Sequence, residues 1–451
     1  MSVYPKYKPS GIEWLGDIPE HWKVNRLKNI TAKSIGGVWG EEPNEDGEDT
    51  IVIRVADFDR DKASIIDSEE FTYRAISEHH LLDRKLNKND ILLEKSGGGE
   101  RQLVGKAVIF DKDFDAVCAN FIQKVEIIDR FDKRFVLHIL TAIYDGRINF
   151  PYVNQTTGIQ NLDITAFFNH CVAYPESKEE QTAIANYLDQ KTSKLDQLIN
   201  NKKTQIKKLQ EIRQIEINKA VTKGLDSNVK LKPSGIEWLG EIPEHWEVKR
   251  LKNVTKIVNG STPKSNIEEY WDGEITWVTP GDISKLNGFI SESEKMITKE
   301  GYLSCGTEMV QEGSTILTCR APIGNAVIAK KELCTNQGCK SLIPLRVDYR
   351  YLYYFVLSSN EEINSLGQGT TFLELSRTNL GNTKLSLPNS IIEQAAIANY
   401  LDDKTSKIDQ LVCNLENQIE RLQDVRKIEI YNAVTGKNKV VKHVKEKRLS
   451  C

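Results

Sequence analysis

The chain has 451 residues, a formal net charge of -3, and 28% charged against 39% hydrophobic residues. That length supports two or more domains with cores of their own, and the charge balance excludes a globally basic nucleic-acid binder, so any such surface has to be local. The eight cysteines form no C-x-x-C pair and no Cys/His ligand spacing, which argues against a zinc site and for free thiols in a reducing cytoplasm; neither an apolar signal core nor a run of about 18 apolar residues is present to cross a membrane.

In chain order, the first distinctive stretch is PSGIEWLGDIPEHWKVNRLKNI at Pro9 to Ile30, a box rich in Pro, Gly and Trp that predicts a fixed turn clamped by aromatic packing. His21 lies inside it and has no adjacent nucleophile, so packing accounts for it better than catalysis does. Short β-rich runs follow at Asp49 to Phe58, Asp90 to Lys95 and Gly105 to Asp111, then a helical run at Arg134 to Ile143 and a polar stretch, Asn154 to Leu162. Pro175 precedes Ser177 and Glu180, an S-x-x-E capping box. From there to Gly224 no proline or glycine interrupts an amphipathic pattern carrying Ile184, Leu188, Leu195, Leu198, Ile206, Leu209 and Ile212. About 45 helical residues at 1.5 Å each would extend roughly 65 Å, the length of a strut.

The plan then repeats. The box returns at Pro233 to Val254 with 18 of 22 positions identical, including His245, and the helix returns at Glu393 to Thr435 with 28 of 43 positions identical to Glu180 to Thr222. Pro388, Ser390 and Glu393 stand where Pro175, Ser177 and Glu180 stood. In the second helix Leu401, Ile408, Leu415 and Leu422 are seven apart, whereas Lys202 aligned with Leu415 breaks the first stripe at its middle. Each stripe needs an apolar cover, and the simplest cover is the other copy, as a two-stranded coiled coil in which Leu188, Leu195, Leu401, Ile408, Leu415 and Leu422 face the partner helix. Between box and helix the copies diverge almost completely, yet runs at Glu274 to Ile283, Ser314 to Cys319, Asn325 to Lys330 and Arg350 to Ser359 match the order of the first half. Constant parts thus flank a variable part twice, as expected where a shared scaffold presents two different recognition segments. The expected class is α/β (α+β): two similar domains with a pseudo-two-fold internal repeat.

Two places carry candidate chemistry. Lys95 to Arg101 is a glycine-rich loop without the order of a phosphate-binding P-loop. It reads equally as a hairpin tip or as a loop that brings Lys95, Arg101, Gln102 and Lys106 to phosphates or base edges; Arg320 and Asn325 occupy the matching place in the second half. The second is the polar stretch before each helix, with Asn154, Gln155, Thr156, Thr157 and Gln160 in one half and Gln368, Thr370 and Thr371 in the other. Amides pair with adenine and hydroxyls reach bases or phosphates, and recurrence at the same place in both halves favours this over a plain polar turn. Asn149-Phe-Pro-Tyr152 departs from the N-P-P-Y pattern of amino-methyltransferases and has no F-x-G-x-G loop to accompany it, so it reads as chance. Paired carboxylates, a nucleophile elbow and metal spacing are all missing from the pattern, so the expected chain is not an enzyme by itself.

The ordered double occurrence of GIEWLGDIPEHWKVNRLKN and GIEWLGEIPEHWEVKRLKN, followed each time by the P-x-S-x-x-E-Q-x-A-I-A-N-Y-L-D-x-K-T-S-K-x-D pattern at Pro175 to Asp196 and its relative at Pro388 to Asp409, resembles the specificity subunit of type I DNA restriction-modification systems over nearly the full chain. The resemblance implies target recognition domains at 1–176 and 225–389, long helices at 177–224 and 390–437 forming an antiparallel coiled coil, and a basic tail at 438–451. Each domain would read one half of a bipartite double-stranded DNA site, and the helices would set the gap. Two methylation subunits would supply S-adenosylmethionine, and restriction subunits would supply ATP and Mg chemistry, with no cofactor or metal on this chain, in the cytoplasm. A repeat-built protein-interaction scaffold without DNA readout is the alternative from a different class. A fused enzyme that cleaves or methylates alone would need a catalytic domain for which no motif is present.

Overall fold

The computed structural model describes residues 3–44, 49–99, 102–156, 158–286, 288–367 and 374–440. Two units emerge: the chain up to Lys203 together with residues from Glu416 onward, and the stretch from Thr204 to Leu415.

In the first unit the box folds as an antiparallel strand pair, Tyr7–Pro9 with Asp17–Pro19, followed by a strand at Trp22–Arg26. That strand pairs antiparallel with Cys171–Pro175, the segment that leads into the long helix. The box is therefore tied directly to the start of the helix, although some 150 variable residues lie between them in sequence. Those residues build an antiparallel four-stranded sheet ordered Ala107–Ile109, Ile91–Glu94, Ile122–Ile127, Thr31–Gly36. A three-stranded sheet accompanies it, with Thr50–Ile53 between Ala116–Cys118, parallel to it, and Thr72–Arg74. The expected β-rich run at Asp49 to Phe58 breaks after Ile53: Val55–Asp57 is a single turn of 3-10 helix, closed by an Arg54 to Asp57 ion pair at 2.9 Å.

The second unit repeats this frame. Leu231–Pro233 pairs with Glu241–Pro243, and Glu247–Arg250 with Lys384–Leu387. A five-stranded sheet runs Thr255–Asn259, Cys339–Pro344, Thr315–Thr318, Ala326–Ala329, Phe289–Ile290, the last pair parallel. Beside it Trp271–Val278 lies between Met296–Ile297 and Cys334–Thr335. Here too the expected run at Glu274 to Ile283 is a strand and then a short helix, Pro280–Ile283, capped by Thr279 on Asp282 at 2.7 Å. The two short amphipathic helices, Lys133–Asp145 and Tyr349–Ser358, start on Asp132 and Asp348, whose carboxylates accept from the first free amides.

The long helices, Lys178–Lys223 and Ile391–Val434, have 46 and 44 residues. Several polar residues repeated at the two helix starts have partners, and the partners repeat. Ser177 caps the Glu180 amide at 3.3 Å, but Glu180 does not complete the expected box by reaching back to the backbone. Its carboxylate accepts instead from the buried Trp22 indole at 3.2 Å and the Tyr4 hydroxyl at 2.8 Å, and lies 3.0 Å from His21. Glu393 does the same for Trp246 at 2.9 Å and His245 at 3.0 Å. Both histidines thus belong to the packing motif. The next residue, Gln181 or Gln394, is buried; it accepts from the Asp132 or Asp348 amide and donates to the Pro175 or Pro388 carbonyl. Arg134 grips Asp189 and Arg350 grips Asp402, each at 2.8 Å.

Within each unit a segment of one long helix lies beside a segment of the other. In the first unit Tyr187 donates to Glu429 at 2.9 Å, Arg426 meets Asp196 at 3.1 Å, and Lys202 reaches Gln418 at 2.6 Å. Rising numbers on one segment meet falling numbers on the other, so the segments are antiparallel. In the second unit Tyr400 donates to Glu216 at 2.7 Å and Arg213 stands 3.4 Å from Asp409. Ile430, Ala433 and Val434 share a buried cluster with Ile184, Ala185, Leu188 and Trp22, and Ile217, Ala220 and Val221 share one with Ile397, Leu401 and Trp246. Leu188 and Leu401 therefore belong to domain cores as well as to the seam. Leu195 and Ile408 are buried on the stripe, and Leu415 and Leu422 are half-buried. Each ending helix stops on a glycine with positive φ pressed onto a box. A Cβ on Gly224 would meet the Trp246 ring at 3.3 Å, and one on Gly436 would meet Pro19 at 2.3 Å. Among the described residues no helix is long and apolar enough to cross a membrane.

Two consequences are measurable. Trp246→Ala removes a fully buried indole from the centre of the second unit and is expected to cost about 3–5 kcal/mol in urea unfolding; a loss under about 1 kcal/mol would contradict the central role of the box. His170 is stacked on Trp14 at 5.7 Å with Nδ1 2.8 Å from the Tyr152 hydroxyl, and burial lowers its pKa below the ordinary 6.5. Its unfolded form binds the proton more readily, so its contribution is full above pH 6.5 and is lost as pH falls through the lowered folded value. The urea midpoint is expected to drop between about pH 7.5 and about pH 5.5, and to drop less in His170→Gln; equal drops in the two proteins would refute the assignment.

Candidate nucleic-acid interface

The two candidate stretches of the first half, some sixty residues apart in sequence, are one structure. Ser96–Gly97 pairs with Ile159–Leu162, which pairs in turn with Val153–Thr156, giving a three-stranded ribbon. Ser96 stands opposite Asn161, and its hydroxyl donates to the Asn161 side-chain amide oxygen at 2.7 Å. Lys95 is half-buried at the root of the ribbon, where its amide bonds to the Phe121 carbonyl at 2.9 Å. Asn154 and Gln155 are exposed on the outer strand. The Gly98 φ of 66° and the close approach of Gln102 O and Gln160 Oε1, 2.7 and 2.9 Å from where a Cβ would stand, explain why the loop needs glycine there.

Two expected contact residues are turned inward. Gln160 is 6% exposed, and its amide accepts from the Val104 amide at 3.0 Å and donates to the Gly99 carbonyl at 3.1 Å. It holds the loop in shape and is not presented to a ligand. Lys106 is 4% exposed; its amine lies over the Tyr144 ring at 5.0 Å and 3.8 Å from Asp145, and burial lowers its pKa. Its contacts with Tyr144 and Asp145 of the short helix hold it inside the domain, away from the ribbon. Gln102 remains exposed and packs its amide against the Arg60 guanidinium at 2.6 Å. Arg60 in turn pairs with buried Glu94 at 2.6 Å, whose pKa burial raises against the opposing pull of Arg60. Arg101, Thr157 and the Thr156 side chain lie outside the described residues.

The second half makes a corresponding junction. The Cys319 carbonyl accepts from the Leu375 amide at 2.8 Å, and Arg320 bridges to Glu374 through the backbone. The Arg320 side chain also pairs with Glu374 at 3.2 Å, which offsets its charge. Asn325 is half-buried, its amide bonded to Thr318 Oγ1 at 3.2 Å. Gln368, Thr370 and Thr371 lie outside the described residues. In both units, then, the turn after a central strand meets the segment that follows the short amphipathic helix.

The sequence reading passed over Phe121. It is 51% exposed beside the ribbon root, flanking Lys95, where an aromatic face is available to a base or sugar. Its only signal was a large apolar residue in the turn Ala-Asn-Phe, which hydrophobic periodicity assigns to the adjoining strand. Among the described residues no group of His, Cys, Asp and Glu is placed to hold a metal ion.

Comparison with known proteins places this arrangement. The family described as the type I restriction modification DNA specificity domain matches residues 19–208 and 243–421. The chain is 37% identical over 191 residues to the type I restriction enzyme MjaIX specificity subunit of Methanocaldococcus jannaschii, covering 42% of this chain and 43% of that relative. It is 26% identical over 433 residues to the putative type I restriction enzyme MjaX specificity subunit of the same organism, covering 94% and 96%. A solved chain from a study of complex assembly and conformational transition in the type I R-M system superposes with a TM-score of 0.69 at 15% identity, over 92% of this chain and 98% of that one, a likeness of fold. With two matched segments that together take in most of its length, the chain belongs to the type I restriction modification DNA specificity domain family.

Proposed function

We propose that this chain is the DNA sequence-specificity subunit of a type I restriction-modification complex. The observation that carries the reading is the duplicated specificity domain, in which a constant frame of box and helix start holds two divergent variable parts that each bring a turn against the chain following the short helix. Each variable domain reads one half of a bipartite double-stranded site. The long helices act as an antiparallel coiled coil that sets the distance between the half-sites. The chain is non-catalytic: two methylation subunits dock on it and carry S-adenosylmethionine, and restriction subunits carry ATP and Mg, in the cytoplasm. Its exposed polar candidates, Asn154, Gln155 and Gln102, suit contacts to base edges and phosphates.

Methylome sequencing of cells carrying the chain with its methylation subunit, against cells lacking it, tests the reading directly. One split methylated motif present only with the chain is the expected result. An unchanged methylome with the complex assembled would favour the interaction scaffold. Exchanging residues 31–150 for the corresponding segment of another family member is expected to change one half of the motif and leave the other intact; a change in both halves refutes modular readout. Inserting one heptad into each long helix adds about 10 Å, so the motif's gap is expected to grow by about three base pairs; an unchanged gap refutes the strut.

A further inference from the structure

DNA binding by an acidic chain calls for a local positive concavity, and the Arg320 charge, which Glu374 offsets, does not supply one by itself. One occurs elsewhere in the second unit. A surface pocket of about 680 Å³ is lined by Lys249, Arg250, Lys252, Arg346 and Lys384, and no carboxylate belongs to its lining. Lys249 pairs with Glu247 at 2.9 Å. Arg250, Lys252, Arg346 and Lys384 are exposed, and among the described residues their side chains have neither an ion-pair nor a hydrogen-bond partner. Arg250 and Lys384 stand directly opposite each other across the antiparallel strand pair. Like charges in that position repel, at a cost of some tenths of a kcal/mol to about 1 kcal/mol. The first unit avoids the repulsion at the same place: Arg26 faces Cys171, and its guanidinium rests on Asn169 at 3.4 Å.

We infer that this pocket is a phosphate site, and that on the proposed function, on which the inference rests, it grips the DNA backbone and reads no bases. Exposed cations gathered without an internal counter-ion are screened only by water and mobile ions, and a backbone phosphate, which brings a fixed negative charge along a duplex, pairs with them and releases its own counter-ions. The pocket opens at the 344–346 end of the central strands. The Arg320 turn leaves the 318–339 end, so the strand Cys339–Pro344, six residues or about 20 Å, lies between them. That distance is well inside one turn of B-DNA, about 34 Å, so one duplex laid along the strand spans both ends.

The test uses the complex reconstituted with its methylation subunits, the unaltered chain, Lys384→Ala, Arg346→Ala and the charge-keeping Lys384→Arg. Binding to the methylated motif's DNA and to a duplex with that motif scrambled is measured from about 50 to about 200 mM salt. Each alanine variant is expected to weaken both duplexes by a similar factor and to flatten the plot of log affinity against log salt by about 0.9, while Lys384→Arg keeps the slope and the motif is unchanged. Slopes equal to the unaltered chain's overturn the inference. So does a loss of methylation-subunit assembly in sedimentation, which would mark the pocket as a protein contact. Protection of the chain by millimolar inorganic phosphate, lost in the variants while the salt slopes stay equal, overturns the backbone as the source and assigns a free anion. Absence of any preference for the motif in the unaltered complex is a different failure, that of the specificity reading itself.

Discussion

The buried indole N–H of each box and the carboxylate that receives it hold the frame together. Trp22 and Trp246 are fully buried, and an indole donor left without an acceptor there costs about 1–3 kcal/mol. Glu180 and Glu393 supply the acceptor from the first turn of a long helix, where amide dipoles favour a negative charge. One contact therefore fixes three things: the tryptophan rotamer, the docking of the helix start, and the closure of the variable segment between them. The same tryptophan is also met by the glycine that ends a long helix, Gly436 for Trp22 and Gly224 for Trp246. Each box is thus clasped by one helix that begins and one that ends. That arrangement explains the otherwise odd extent of the repeat, since nearly every identical polar residue of the helix start has a repeated partner.

Its consequence for recognition is a separation of duties. The frame carries the buried aromatic and hydrogen-bonded contacts, so the sheets between box and helix are free to diverge in length and order without loosening the unit. Both still deliver a turn next to the chain that follows the short helix, because the strands that carry them are paired back to the frame. The first unit builds a ribbon there, and in the second, among the described residues, Arg320 bridges to Glu374. Different shapes in equivalent places are what two readers of different half-sites require.

The repeat made the duplicated architecture legible in the sequence, and the strands at Ile91–Glu94, Ala107–Ile109, Thr315–Thr318 and Ala326–Ala329 lie within the β-rich runs bounded by turn residues. What periodicity does not encode is which side of a strand meets which loop. Gln160 and Lys106 have the residue types of contact groups, yet both point inward because their partners, Val104, Gly99, Tyr144 and Asp145, are distant or placed by the fold. Glu180 misled in the opposite way. The local capping signal is real, but a tertiary donor, the Trp22 indole, competes for the same carboxylate and wins because it is buried whereas the helix amide is open to water. Phe121 and the Lys384 charge escaped notice for a related reason: each matters only through neighbours that sequence distance hides.

Charge follows the same logic. A chain with a net charge of -3 cannot attract a polyanion through its overall field, and several of its arginines are bound to carboxylates of the chain itself, as Arg134, Arg350, Arg426 and Arg60 are. Long-range steering is then weak, and binding depends on cations gathered at short range without a counter-ion beside them, where screening by salt acts within about 8–10 Å. Placing such cations on the shared frame, where the strand after the variable segment returns to the box, separates the grip on the backbone from the reading of bases. A variable sheet can then change its half-site without rebuilding the contact that holds the duplex.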